Sequence, residues 1–142
     1  YEAIFWVPKS AFCSPNPPDG IIDTPPLDTP VKTLEQGENE WAYVLGLSDS
    51  SNSDFPLLTD GFANPATHTY TTGLSKKGGR LDGKNTVVVY VDGHGVLVRV
   101  DPASMQVLGP NPVGPTPYGD IFTTGHASMG WLQPENKVVN PR

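Results

Sequence analysis

The longest apolar run in the chain lies between Val87 and Val100 and is broken by Asp92-Gly93-His94-Gly95 and, near its end, by the single polar residue Arg99. Val87–Val91 and Val96–Val100 are β-branched or aromatic at nearly every position, a composition that suits a pleated, half-buried surface. Gly93 and Gly95 supply the positive φ that a tight reversal requires. The pattern predicts a β-hairpin over Asn85–Asp101, with Asp92, Gly93, His94 and Gly95 as its structural turn. The first strand is apolar on both faces, which implies cover on both sides. In the second, Arg99 alternates with Val98 and Val100, which implies one wet face.

Two shorter apolar segments precede the hairpin. Trp41–Leu47 alternates so that Trp41, Tyr43, Leu45 and Leu47 share one face, and a strand is expected with Trp41 in the core. Phe55–Thr59 is a third strand, leading into Asp60-Gly61. Tyr1–Val7 reads as a short strand or the last turn of a helix, closed by Pro8. Thr33, with Gln36 at the capping-box position, could start a helical turn that Gly37 stops. Asp101 with Pro102 reads as the cap and first position of one further turn. Asn64–Ser75 and Gly109–Pro117 read as loops, Ile121-Phe122 and Met129–Leu132 as small apolar patches, and Gln133–Arg142 as a frayed end.

Composition turns this pattern into a fold class. The chain has 142 residues, 15 Gly and 16 Pro, with no collagen-like period and no internal repeat. Six prolines fall between Ser14 and Pro30, a density that forbids helix and sheet interior alike. The expected architecture is a single domain, mainly β. It has a small antiparallel sheet of three or four strands around the hairpin, with long Pro/Gly-rich loops. A net charge of −6 disfavours nucleic acid or an anionic membrane surface as partner, and Lys76, Lys77 and Arg80 read as a solvated basic turn. Cys13 is the only cysteine, so no intrachain disulfide and no cysteine zinc site can form; it is expected to be buried and inert.

Candidate chemistry is sparse. Asp92 and His94 could form a pair for proton transfer or metal binding, or could serve only the backbone of their turn. His68 and His126 lie in Thr-, Ser- and Gly-rich loops with no metal-ligand spacing. Asp49, Ser51, Ser53 and Asp60 follow the oxygen-ligand rhythm of a calcium loop, although Asp54 stands where such loops carry glycine, and a solvated turn explains the same residues. No nucleophile elbow and no phosphate-binding loop is present. Trp6, Trp41 and Trp131 could stack on carbohydrate if exposed.

Several of these segments, taken in order, resemble a known family. Tyr43–Leu47, Phe55–Gly61 and Asn85–Gly95 are similar to the soluble heads of type IV pilin-like and type II secretion pseudopilin-like proteins of the H-X9-DG class. There a PLLAD segment precedes a histidine and a strand ends in ADGHV; Val91-Asp92-Gly93-His94 matches the second element and Asp60-Gly61 fits the first. Ala11–Pro15 is similar to the CPS segment upstream. The histidine that opens the family motif is replaced by Asp82 in this chain.

The resemblance implies a non-catalytic structural subunit that is extracytoplasmic and anchored in the inner membrane. Its N-terminal hydrophobic helix, absent from this chain, would connect it to other pilin-like subunits and to secretion machinery. It also implies that a structural calcium is possible. The alternatives are a secreted carbohydrate-binding or adhesin-type β-domain and a hydrolase using Asp92 and His94.

Overall fold

The computed structural model describes residues 4–20, 36–110, 118–124 and 132–141. The molecule is mainly β, with a five-stranded antiparallel sheet and a separate two-stranded ribbon. The large sheet contains β1 (Trp41–Leu45), β2 (Pro56–Asp60), β3 (Asn85–Tyr90), β4 (Gly95–Arg99) and β7 (Lys137–Val139) in the order β4-β3-β2-β1-β7. β5 (Leu108–Pro110) and β6 (Tyr118–Asp120) form the ribbon. The sheet therefore has five strands where three or four are expected, and the expected hairpin occupies one flank, with β4 at the edge.

The hairpin turn differs in one detail from expectation. The Gly93 N–H donates to the Tyr90 carbonyl at 2.9 Å and the Tyr90 N–H donates to the His94 carbonyl at 3.0 Å. Gly93 alone takes positive φ, 88°. Gly95 already belongs to the strand, opposite Val89. One left-handed residue after a two-residue turn matches the right-handed twist of the flanking strands, so a second is not required.

Cross-strand register sorts the side chains into two faces. Ala42, Thr59, Val88 and Val96 are opposed in succession, as are Thr86 and Val98, and Val44 and Val138. Ala42, Val44, Thr59, Thr86 and Val88 are each at most 3 % exposed, so this face meets the core. The core is completed from the loops by Phe55, Phe62, Tyr70, Val100, Val107, Ile121, Phe122 and Leu132. Phe62 is its hub, with ring centroids 5.2 Å from both Tyr70 and Phe122. Burial of a phenylalanine of this kind is worth about 2–3 kcal/mol.

The other face is defined by Tyr43, Leu58 and Val89 in one cross-strand row, flanked by Val87 with Leu97 and by Leu45 with Lys137. Its apolar residues are half-buried or exposed, Leu45 at 44 % and Leu97 at 62 %. In β1 the face expected to be core is therefore the outward one. Trp41 and Tyr43 are half-buried, while the small Ala42 and Val44 pack inward. Strand alternation identifies the two faces of a strand but not which one the rest of the fold covers.

The C-terminal segment is likewise corrected. Far from frayed, it supplies β7 on the β1 edge, with Asn136 5 % exposed and Leu132 fully buried. The Asn140 side chain acts as a backbone surrogate, accepting from the Phe62 N–H at 2.7 Å and donating to the Phe62 carbonyl at 3.0 Å. Of Gly109–Pro117, expected as loop, Gly109 and Pro110 are the last two residues of β5, and 111–117 lie outside the described residues. The Asp101 cap forms: its carboxylate accepts from the Ser104 N–H at 2.7 Å and from the Ser104 hydroxyl at 2.8 Å, and these bonds hold its pKa below the usual range. Only a single turn follows. Among the described residues, Ile4–Val7 form no strand. The expected turn at Thr33 and the patch Met129–Trp131 lie outside the described residues.

Candidate functional site

The deepest polar chemistry lies where β1 begins and β2 ends. Asp60 closes β2 and is 3 % exposed. One of its oxygens accepts from Arg80 Nη1 at 2.8 Å; the other accepts from the Thr86 hydroxyl and the Val87 N–H, both at 3.0 Å. The network continues inward from Thr86 to the Thr59 hydroxyl at 3.1 Å and from Thr59 to the Tyr70 hydroxyl at 2.8 Å. Burial raises the Tyr70 phenol far above its usual pKa, so this chain of hydroxyls stays neutral. The Arg80 guanidinium lies over the Trp41 ring, 5.2 Å from its centroid.

Glu40 immediately precedes β1 and is 2 % exposed. Its main chain is fixed by the Phe5 carbonyl, which accepts from Glu40 N, and by Gly61 N, which donates to Glu40 O, both at 2.9 Å. Its carboxyl accepts from the Ser10 hydroxyl, thirty residues away in sequence. Burial, then the neighbouring negative charge of Asp60, push the Glu40 carboxyl up to about 7, against a smaller opposing pull from Arg80. Gly61 must be glycine here, because a Cβ would stand 2.6 Å from both the Phe12 ring and the Pro141 ring.

A cleft of about 240 Å³ opens at this point, lined by Val7–Phe12, Glu40, Leu74, Lys76 and Arg80. Lys76 and Lys77 are exposed, as a solvated basic turn has them, with the Lys77 ammonium 5.0 Å from the Phe12 ring centroid, whereas Arg80 is half-buried and paired with Asp60. A carboxyl titrating near neutrality, beside a fixed guanidinium, can take up or release a proton under ordinary conditions. Nothing in the sequence spacing joins Ser10, Glu40, Asp60 and Arg80. The one local sign was a pair of glutamates, Glu38 and Glu40, directly before an apolar strand.

The residues singled out from sequence fall in three places. Asp92 and His94 are exposed at the hairpin tip, their side chains hydrogen-bonded to each other. The Asp92 carboxylate also accepts from the His94 N–H at 3.0 Å, and this bond is the main reason its pKa is held low. The His94 ring stacks on Tyr90 at 4.6 Å. The Asp92 carboxylate thus bonds the backbone of the turn, and the His94 ring packs on the strand beside it.

The calcium set does not assemble. Asp49, Ser51 and Ser53 stay in the exposed 48–54 turn, which is closed by its own bonds, such as Ser51 Oγ accepting from Ser48 N at 3.0 Å. Asp60 lies at the far end of β2 with both oxygens engaged. The reason is the strand itself, which extends the chain between the two positions. Among the described residues no group of three or more His, Cys, Asp or Glu side chains is placed to hold a metal ion.

Asp82, at the position of the motif histidine, has φ 56° and accepts from the Gly73 N–H at 2.9 Å. Cys13 is half-buried rather than buried, and burial pushes its thiol pKa up. Trp6 is half-buried and donates its indole N–H to the Ser14 carbonyl at 3.1 Å; Trp131 and His126 lie outside the described residues.

One pair escaped sequence reasoning altogether. His68 Nδ1 lies 2.6 Å from Asp120 Oδ2, with the imidazole against the Phe62 and Phe122 rings. Asp120 also accepts from the Phe122 N–H at 3.1 Å and the Thr123 hydroxyl at 3.3 Å. The pair ties the 64–69 loop to β6 across a separation of fifty-two residues.

Comparison with protein-family models, with curated proteins and with solved structures returns no match to this chain.

Proposed function

We propose that this chain is the head domain of a pilin-like or pseudopilin-like subunit, a structural component that works by packing and surface presentation rather than by catalysis. The observation that carries this reading is the outward face of the five-stranded sheet. Tyr43, Leu58, Val87, Val89 and Leu97 make it apolar across four adjacent strands, and half-buried or exposed throughout. An apolar sheet face of this breadth gains stability when another apolar element covers it. An amphipathic or hydrophobic helix encoded upstream of Tyr1 would fit such a surface. The Asp92-Gly93-His94 turn is a second support, since the segment that resembles the family motif closes a hairpin of this same sheet.

The full-length gene provides the test. A prepilin-type glycine before an apolar helix upstream of Tyr1, cleaved when prepilin peptidase is co-expressed, is the expected result. A cleavable secretory signal in its place would overturn the pilin reading and favour a secreted carbohydrate-binding or adhesin domain. Leu58→Lys on the outward face should then abolish assembly of the full-length subunit while the 142-residue chain keeps its melting temperature.

A further inference from the structure

The two edges of the sheet are built differently. β7 has three residues, carries the exposed Lys137, and is followed at once by Asn140 and Pro141. Short length, a lysine and a nearby proline are the usual means of keeping another strand from adding to an edge. β4 has five residues, Gly95-Val-Leu-Val-Arg99, with no lysine and no proline. Val96 is 42 % and Leu97 62 % exposed, so β4 places two of the large exposed hydrophobics side by side.

The hydrogen-bond phase of β4 is fixed by its partner. Tyr90 pairs with the His94 carbonyl and Val100 N pairs with the Lys84 carbonyl, so the bonded rows of the hairpin fall at Val96 and Val98. The main-chain groups of Gly95, Leu97 and Arg99 therefore point away from β3 at an edge that no strand pairs among the described residues, and none of them is a proline nitrogen.

We propose that β4 is a self-association edge: two copies of this chain pair their β4 strands antiparallel about a two-fold axis at Leu97, joining two five-stranded sheets into one. The sequence of the strand suits its own inversion. Leu97 meets Leu97, Val96 meets Val98, and Gly95 meets Arg99. Each Leu97 would exchange both backbone bonds with its counterpart, and the Gly95 and Arg99 rows would bring the total to about six. The two arginines face glycines rather than one another, so no like charges are opposed. The absence of a side chain at Gly95 leaves the arginine stem room to extend toward the partner's exposed Asp92 turn. A single strand pair buries well under the roughly 1,600 Å² of a standard interface, so association is weak, populated between roughly 10 µM and 1 mM.

The experiment is site-specific oxidation in the 142-residue chain on a Cys13→Ser background, which removes the native thiol. Across the axis the two Leu97 Cα atoms would lie about 5.5 Å apart, within disulfide reach, whereas the two Val96 positions are diagonal neighbours about 7–8 Å apart. Leu97→Cys should give covalent dimer at about tenfold or more the rate of Val96→Cys. Sedimentation of the parent chain should show a concentration-dependent dimer that Leu97→Lys eliminates without changing its circular dichroism. Equal cross-linking at the two positions, or a parent chain that sediments as a monomer throughout that concentration range, would overturn the proposal.

Discussion

Glu40 and Asp60 flank the same corner of the molecule at nearly equal depth, 2 % and 3 % exposed, yet their surroundings treat them in opposite ways. Asp60 is met by three donors, one of them a guanidinium. Glu40 is met by the Ser10 hydroxyl and faces the negative charge of Asp60. Depth alone does not set the cost of burying a carboxylate. What decides it is how many donors the fold brings to its oxygens, since a paired buried charge is stable and an under-paired one takes up a proton instead.

The comparison breaks most severely if Asp60 is removed. Asp60→Ala leaves the Arg80 charge, the Thr86 hydroxyl and the Val87 N–H without their acceptor, and breaking one partner of a buried pair costs about 3–5 kcal/mol. Urea unfolding should show the loss as a lowered midpoint. A change under about 1 kcal/mol would mean that water replaces the carboxylate there.

Glu40→Gln should act in the other direction, and only at higher pH. The native Glu40 carboxyl at about 7 binds its proton more tightly than the unfolded one near 4.5. Its contribution is therefore most favourable below pH 4.5 and is lost as pH rises toward 7, an effect of about 3 kcal/mol. The amide keeps a partner for Ser10 without the charge. The variant should match the parent at pH 5, exceed it at pH 8, and flatten the slope between them. Parallel stability curves for the two proteins would show that another group titrates in that window.

Ser10→Ala sharpens the contrast further by removing the one side-chain donor to Glu40 among the described residues. A loss of about 1 kcal/mol is expected in thermal unfolding, together with an upward shift of the pH at which stability falls. The smallest effect belongs to the third acidic group, Asp92, where solvent screens the interaction. His94→Ala should leave the melting temperature within error of the parent, and a drop of several degrees would show that the stack of His94 on Tyr90 holds the hairpin together.

Local pattern alone fixed the hairpin of β3 and β4, the strands β1 and β2, the Asp101 cap and the all-antiparallel β class. Each depends on neighbours within a few residues: β-branched alternation, a glycine at the turn, an aspartate before a proline. Pattern also placed Asp92 and His94 correctly in a turn, because an aspartate bonding the backbone two residues on is a local event.

Tertiary structure decided the rest. β7, at three residues, is too short for its sequence to announce it, and it is a strand because β1 offers an edge and Asn140 grips Phe62. Which face of β1 is buried depended on where Phe62, Phe122 and Leu132 pack, which no periodicity within Trp41–Leu47 encodes. The four candidate calcium ligands are separated for the complementary reason: spacing counts residues, but an extended strand carries Asp60 away from Asp49 and delivers it to Arg80 and Thr86. The polar corner itself, with Ser10, Glu40, Asp60 and Arg80 drawn from four separate segments, exists only when the chain has closed. Its chemistry comes from burial and from the charge of a neighbour in space, and neither quantity is a property of a residue's position along the sequence.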